Sequence, residues 1–391
     1  MPEVTVNLIH PQVKVTSLDE HDPVIIKAEF IGTAKCPVCD GTHLRTKDRI
    51  VRKVRHESIG VRNTWLYLTL RKHKCLTCGR YFRERVPGLM PYRRSTEMFR
   101  REIFRNHRDG ISQKTLKDNK KIGSATIERW FHDMLKLKER MFSDRVCPRV
   151  LGIDEHFFTK KDGYATTFCD LEKHKIFDVA KGRSEASLKS YLKKMKGRHR
   201  VMVVCIDLSS TYRSIVRKYF PNAKIVADRF HAVRIVQHHF LNTWKRLDPV
   251  GRKNRGLLSL MRRKSENLKP EQEVRLREYF REYPAIGMIY DAKQSICKLM
   301  NIKHRTAREI KKLIPKFLKW IELLKDTPFP PLQTLADTLE SWQEEIVRMW
   351  RFTRNNGITE GFHTKMELIQ RRAYGFRNFE NYRLRVIVLC S

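Results

Sequence analysis

Three carboxylates are placed to do chemistry: Asp154 in VLGIDEHFF, Asp207 in VMVVCIDLS and Glu360 in NNGITEGFH. The first two lie in or end apolar runs of strand type. Glu360 follows the turn cluster Asn355-Asn356-Gly357, near the start of a helix expected to run to about Arg372. All three stand in a chain of formal net charge +38, a balance that attracts polyanions. Carboxylates repel a polyphosphate unless a divalent cation stands between acid and phosphate. The chemistry implied is metal-assisted transfer at a phosphodiester, with two hard cations stabilising the attacking and the leaving oxygen. Asp154 would bridge both ions, and Asp207 and Glu360 would each hold one. Any one of them, Glu360 above all, also reads as a surface carboxylate or a favourable charge at a helix N-terminus.

Neighbouring groups extend this set. Asp228 and His231, in ADRFH, also follow a strand; they either tune a metal ligand and contact the phosphate or, for Asp228, merely cap the next helix. His363 and Glu367 share a helix face with Glu360. Glu155 alternates to the opposite face of its strand from Asp154, so it is not expected to share that metal.

A second kind of site is written in the cysteines. Cys36-Pro-Val-Cys39 and Cys75-Leu-Thr-Cys78 are two C-x-x-C knuckles, which together supply four soft ligands and favour structural zinc. A redox dithiol is the competing reading. The long stretch between the knuckles reads as a β-rich loop that leaves the metal and returns to it. Cys147, Cys169, Cys205, Cys297 and Cys390 lie in apolar or mixed surroundings and read as small buried hydrophobes.

The elements that position these groups follow from composition and periodicity. With 391 residues, 41% of them hydrophobic, the chain can hold two to four domains and at least one real core. Lysine and arginine number 81 against 43 acidic residues, spread along the chain rather than held in one amphipathic helix. The longest apolar runs are too short to span a bilayer, and the N-terminus lacks an export pattern, so a cytoplasmic, nucleoid-associated protein is expected. From Thr96 to Lys138 three helical segments break at Gly110 and Gly123, with Ser124 as the expected cap of the third. This is the outline of a helix-turn-helix, or of a three-helix bundle that binds no DNA. Arg100, Arg101, Lys114, Lys120 and Lys121 favour the former. From Pro148 three hairpin-linked strands lead into β-α-β units, a mixed sheet with helices on its faces. If the first and fourth strands are neighbours, Asp154 and Asp207 meet at one edge. A long basic helical stretch then precedes Glu360 as an insertion, its tryptophans read as core.

The segment order and the motifs GIDEHF, IDLSSTYRS, IVADRFHAVRIV and TEGFHTKMELIQRRAYGFRNFENYRLRV resemble the DDE transposases of bacterial insertion sequences, in the ISL-type family with an N-terminal zinc finger. The likeness runs from about Cys36 to the end. It implies an α/β protein with an RNase H-like catalytic core interrupted by an all-α insertion, preceded by a zinc-binding domain and a helix-turn-helix domain. Asp154, Asp207 and Glu360 match the catalytic triad, with Mg2+ or Mn2+ as cofactor and Zn2+ in the knuckles. His363 is a local departure, because asparagine is expected there in many relatives. The corresponding boundaries are 1–90 for the zinc domain, 91–146 for the helix-turn-helix, 147–240 and 352–391 for the core and 241–351 for the insertion. The partners implied are terminal inverted repeats and target DNA, held by a homodimer or higher oligomer. Arg262, Arg263 and Lys264 of the insertion, and Arg371, Arg372 and Arg377 beyond Glu360, would face DNA. A regulator that binds without cutting, and a nuclease that cuts without joining, are the alternatives.

Overall fold

Alternation along RNTWLYLTLRKHKC puts Thr64, Leu66, Leu68 and Leu70 on one buried face, the period of a half-buried strand. The computed structural model describes residues 10–141, 145–352 and 357–390. They divide into two compact units, Met1–Lys138 and Glu139–Ser391.

In the first unit the expected β-rich loop is one long hairpin. Strand β3 (Leu44–Ile59) pairs antiparallel with β4 (Arg62–Cys75), from Leu44↔Cys75 at the knuckle end to Ile59↔Arg62 at the turn. Two further strands precede it, β1 (Val13–Asp19) and β2 (Val24–Phe30), and a short β5 (Tyr81–Arg83) follows it. The sheet order is β1-β2-β4-β3, with β5 on β4. The sequence reading missed β1 and β2, although the burial of Val24, Ile26, Ala28 and Phe30 is a clean period of two. Three helices follow: α1 (Glu97–Arg108), α2 (Gln113–Lys120) and α3 (Ser124–Arg140). Ile127, Trp130, Phe131 and Leu135 of α3 are buried, as their spacing predicts. The cap of α3 is Gly123, whose carbonyl accepts from the Thr126 and Ile127 amides, and not Ser124.

In the second unit β6 (Val150–Thr159), β7 (Gly163–Asp170) and β8 (Lys175–Lys181) form an antiparallel meander. Then come α4 (Glu185–Lys194), β9 (Val203–Ile206), α5 (Ser210–Tyr219), β10 (Lys224–Ala227) and α6 (Arg229–Leu247). The strand order is β10-β9-β6-β7-β8, with β6, β9 and β10 mutually parallel, so the first and fourth core strands are neighbours. Helices α7 (Pro249–Lys253), α8 (Arg255–Arg262), α9 (Pro270–Glu282), α10 (Pro284–Met300), α11 (Ala307–Lys325), α12 (Pro330–Ser341) and α13 (Gln343–Met349) make the insertion. The chain ends in α14 (Gly357–Arg372) and α15 (Phe379–Leu389). Leu151, Ile153, Val204 and Ile206 pack with α4, α5 and the insertion, whereas Cys205, Ala165 and Cys169 pack with Met366, Tyr382 and Val386. Helices therefore cover both sheet faces.

Helix α6 runs unbroken through the expected boundary at residue 240. The buried Arg229 guanidinium donates to the carbonyls of Met300 (3.1 Å), Ile302 (3.1 Å) and Met349 (2.6 Å), tying the insertion to the helix that leaves the sheet. Trp244, Trp342 and Trp350 are core residues and Trp320 packs against that core. Of the predicted turn before Glu360, Asn355 and Asn356 lie outside the described residues.

Candidate catalytic cavity and metal centre

Strand register puts the acids in a row. Gly152 pairs with Cys205, and Ala227 pairs with Ile206. Continuing those registers brings Asp154, Asp207 and Asp228 level across three parallel strands, and the Asp228 amide extends the ladder to the Ile206 carbonyl at 2.7 Å. The carboxyl ends of parallel strands are where open α/β sheets bind ligands. Glu360 arrives from the first turn of α14, and all four side chains line one cavity of about 300 Å3.

Glu155 lines the same cavity, contrary to the alternation argument. Beyond Gly152, β6 has no partner in β9, so the cavity lies off its free side and both neighbours reach the rim. The Glu155 carboxylate is held by Arg183 at 3.1 Å. Among the described lining residues only Arg234 brings a permanent cation, against five carboxylates. Burial pushes the Asp154 carboxyl up to about 7, against the pull of the Glu155 amide and with added repulsion from Asp207, Asp228 and Glu155. Burial pushes Asp207 up to about 6, with Glu155 and Asp228 repelling and Arg234 opposing. Asp207 Oδ1 is buried without a hydrogen-bond partner. Asp154 and Asp228 are buried, Glu155 and Asp207 half-buried and Glu360 exposed; a mutually repelling carboxylate set with an orphaned oxygen is a donor set for hard divalent cations.

Asp228 occupies the N-cap position of α6 but makes no capping bond; its carboxylate stands 3.3 Å from His231 Nδ1. Its side chain lines the cavity. His363 Nδ1 lies 4.0 Å from Asp154 and its Nε2 3.3 Å from Thr167 Oγ1. The same hydroxyl meets His156 Nδ1 at 3.0 Å, and His156 Nε2 meets the Tyr382 hydroxyl at 2.8 Å. Burial lowers His363 to about 4 and His156 to about 3, so both rings are neutral at neutral pH. Thr167 has one proton, so it donates to one ring and accepts from the other, which couples their tautomers. Glu367 is not part of this set; it pairs with Arg371 at 3.3 Å.

The sequence reading gave no site role to Arg229, Arg234, His156, Thr167 or Tyr382; it expected Tyr382 to pack against the sheet, as it does. His156 lies inside GIDEHF and Arg234 one turn after His231, signals that were available. Thr167 faces Asp154 only through the β6–β7 register, which the sequence does not display.

The four knuckle cysteines converge so that their sulfurs all lie within 4.8 Å of one another, with Cys36–Cys78 at 3.5 Å and Cys39–Cys75 at 3.6 Å. Tetrahedral zinc with bonds of about 2.3 Å sets sulfurs roughly 3.8 Å apart, so the quartet fits that ion. Each knuckle closes by the same bonds: Asp40 and Gly79 donate to the carbonyls of Cys36 and Cys75, with φ of 53° and 74°. The Cys78 amide helps pull the Cys75 thiol down to about 6 against burial. Among the described residues this is the only group of three or more metal-binding side chains so tightly gathered. The acids share a cavity without crowding one point, an arrangement suited to ions completed by phosphate and water.

Among the predicted DNA contacts, Arg101, Lys114, Lys121, Arg262, Arg263, Lys264, Arg371, Arg372 and Arg377 are exposed. Arg100 and Lys120 are not; each is 9% exposed. Arg100 pairs with Glu97 and lies over Trp130, and Lys120 is locked to Glu102 and Ser58, so both serve the interior. No described helix is long and apolar enough to cross a membrane.

Mixed α/β architecture with an acidic cavity at the ends of parallel strands defines a class of candidate phosphoryl-transfer proteins, and sequence comparison gives the class a name. The chain belongs to the ISL3-type family of DDE transposases, described simply as transposase, which it matches over residues 151–386. Over 374 residues, 90% of this chain and 89% of the relative, it is 24% identical to the transposase for insertion sequence element IS1001 of Bordetella parapertussis.

Proposed function

We propose that this transposase binds the terminal inverted repeats of its insertion sequence, cuts a strand to free a 3′ hydroxyl, and joins that hydroxyl to target DNA at one active site. The observation that carries the reading is the cavity in which Asp154, Asp207 and Glu360, distant in sequence, meet beside Asp228. An RNase H-like description of the core is supported by its strand order, a three-stranded meander whose first strand is flanked by two parallel ones. Asp154, at the β6 end of the acid row, would hold both Mg2+ or Mn2+ ions, with Asp207 and Glu360 each holding one. Bound there, the cations activate the attacking oxygen and stabilise the leaving one. The Glu155 amide holds the Asp154 carboxylate and His363, itself set by Thr167, stands beside it, while Asp228 and His231 form the wall nearest the α6 N-terminus. Cys36, Cys39, Cys75 and Cys78 hold structural zinc, which staples the open end of the β3–β4 hairpin. Exposed cations, Arg262, Arg263 and Lys264 among them, embrace DNA. Two ends must be held at once, so the working form is a homodimer or larger assembly.

The test incubates purified protein with duplex oligonucleotides of the neighbouring element's end, with and without Mg2+, comparing wild type with Asp207→Ala. Metal-dependent nicking and strand transfer, both lost in the variant, are expected. Nicking without joining would reduce the protein to a nuclease. Binding without any product in either ion would make it a regulator.

A further inference from the structure

The first unit contains a cavity of about 740 Å3 lined by five cations, Lys53, Arg55, Arg93, Arg94 and Arg129, with no carboxylate among its described lining residues. Three different segments build it. Lys53, Arg55 and Trp65 come from the hairpin whose ends carry the zinc knuckles, Arg93 and Arg94 from the strap that follows, and Arg129 from α3. The strap is hung by its main chain on β3, an edge strand. The Arg55 amide donates to the Arg94 carbonyl (2.9 Å), the Thr96 amide to the Arg55 carbonyl (2.9 Å), and Arg52 to the Arg93 carbonyl (2.7 Å). Its side chains are therefore left to face the cavity and solvent.

Like charges this close need a reason to stay together. The Trp65 ring offsets part of the repulsion, with Lys53 Nζ 4.6 Å and the Arg55 guanidinium 4.9 Å from its centroid. Arg55 is only 8% exposed, yet its Nε is buried without a partner. Beside it, Tyr92 is 95% exposed and holds φ at 60°, a conformation costly for a bulky residue and most often seen where function requires it. The unpartnered buried donor and the lining cations both call for an anion, since the acids that act on Arg55, Glu102 and Asp22, stand outside the lining, and the first turn of α3 opens into the same space through Gly123 and Thr126.

We propose that this cavity grips the phosphodiester backbone of duplex DNA, so that the zinc hairpin and the helical segment act as one composite reader and not as two. The proposal rests on the reading above that the chain binds DNA, and it locates where. Neither segment holds the site alone. Cations from the hairpin and the strap fix the duplex by its phosphates, and that grip sets the first turn of α3 against the base edges, because phosphate contacts position while base contacts specify.

The experiment uses the full chain, zinc-loaded, in Mg2+-free buffer. Affinity for the element-end duplex and for a scrambled duplex is measured by fluorescence anisotropy over a range of salt. For Arg93→Ala/Arg94→Ala/Arg129→Ala the expected result is an equal fold-loss of affinity on both duplexes. The slope of log affinity against log salt should become shallower by about one for each phosphate contact removed. Zinc content and melting temperature should match wild type, because the strap's bonds are main-chain. If the triple variant melts early, Arg93→Lys/Arg94→Lys and Arg93→Gln/Arg94→Gln replace it, and only the glutamine pair should lose slope. An unchanged slope in a folded variant overturns the proposal, as does a loss confined to the element-end duplex, which would mean base reading. Wild type that binds neither duplex sinks the transposition reading itself.

Discussion

The two units enclose cavities of opposite chemistry. Among the described residues one is lined by five cations and no acid, the other by five carboxylates and a single arginine. In a chain of net charge +38 the second is the more improbable, because acids are scarce and should pair with the surrounding excess of cations. On the readings proposed above, each cavity stores repulsion that Trp65 or Arg183 offsets in part and a ligand would relieve, a polyanion in the first and divalent cations in the second. On those readings the pair supplies what handling a DNA end requires: a grip that is indifferent to chemistry and a cutter that is not.

The largest effect should separate these roles. Asp154→Asn or Asp207→Asn should lower strand cleavage about a thousandfold or more, as expected when several kcal/mol of transition-state stabilisation are lost. The affinity for the element-end duplex measured without Mg2+ should not fall. A parallel loss of binding would merge the two cavities into one function. In the other unit, chelating zinc or introducing Cys75→Ser should abolish DNA binding and melt the hairpin end, since structural zinc supplies folding free energy outright. Limited proteolysis should then digest the first unit and leave the second intact. Simultaneous collapse of both would show that they are not independent.

The sequence displayed the acidic cavity better than the basic one, for a physical reason. Strand-end acids behind VLGI and VMVVCI announce themselves because an apolar run has one buried destination and its end has one exit. The row of Asp154, Asp207 and Asp228 needed β6, β9 and β10 to be parallel neighbours; the β9–α5–β10 unit makes that the default for one pair, whereas β6 and β9, separated by β7, β8 and α4, were neighbours only on a condition. The basic cavity joins Lys53, Arg94 and Arg129 through tertiary packing, and nothing in a charge-rich sequence marks which arginines will share a space. The same blindness chose Arg100 and Lys120 as surface cations. Their partners Glu97 and Glu102 lie on one helix, but Ser58, which closes the Lys120 site, comes from β3. Thr167 was illegible likewise, being a matter of register.

A smaller effect sharpens the account of the cutter. Thr167→Val removes the hydroxyl that links His156 to His363 at nearly constant volume. Groups that orient a metal ligand typically carry 10–100-fold in metal affinity or activity, so that loss is expected, expressed as a raised Mg2+ requirement. Tyr382→Phe, two hydrogen bonds beyond Thr167 by way of His156, should cost less. A Thr167→Val enzyme with wild-type Mg2+ dependence would reduce the network to packing.

The smallest effect is on stability, and it should run in opposite directions in the two units. Asp154 and Asp207 rise from 3.8 to about 7 and about 6 on folding, so the folded second unit binds protons more tightly than the unfolded chain. That contribution is fully present below about pH 4 and is lost as pH rises through 6 to 7. Metal-free protein should therefore melt a few degrees lower in this unit at pH 8 than this contribution would allow at pH 5. Mg2+ should restore the difference by mass action, and Asp154→Asn/Asp207→Asn should flatten both responses. The zinc-loaded first unit behaves oppositely, because acid protonates the thiolates and releases the metal. Calorimetry of the zinc-loaded, Mg2+-free chain should thus show the two transitions shifting in opposite senses with pH. If both moved the same way, either the acids of the second unit are already neutralised by cations of the protein, or the quartet of the first is not a metal site.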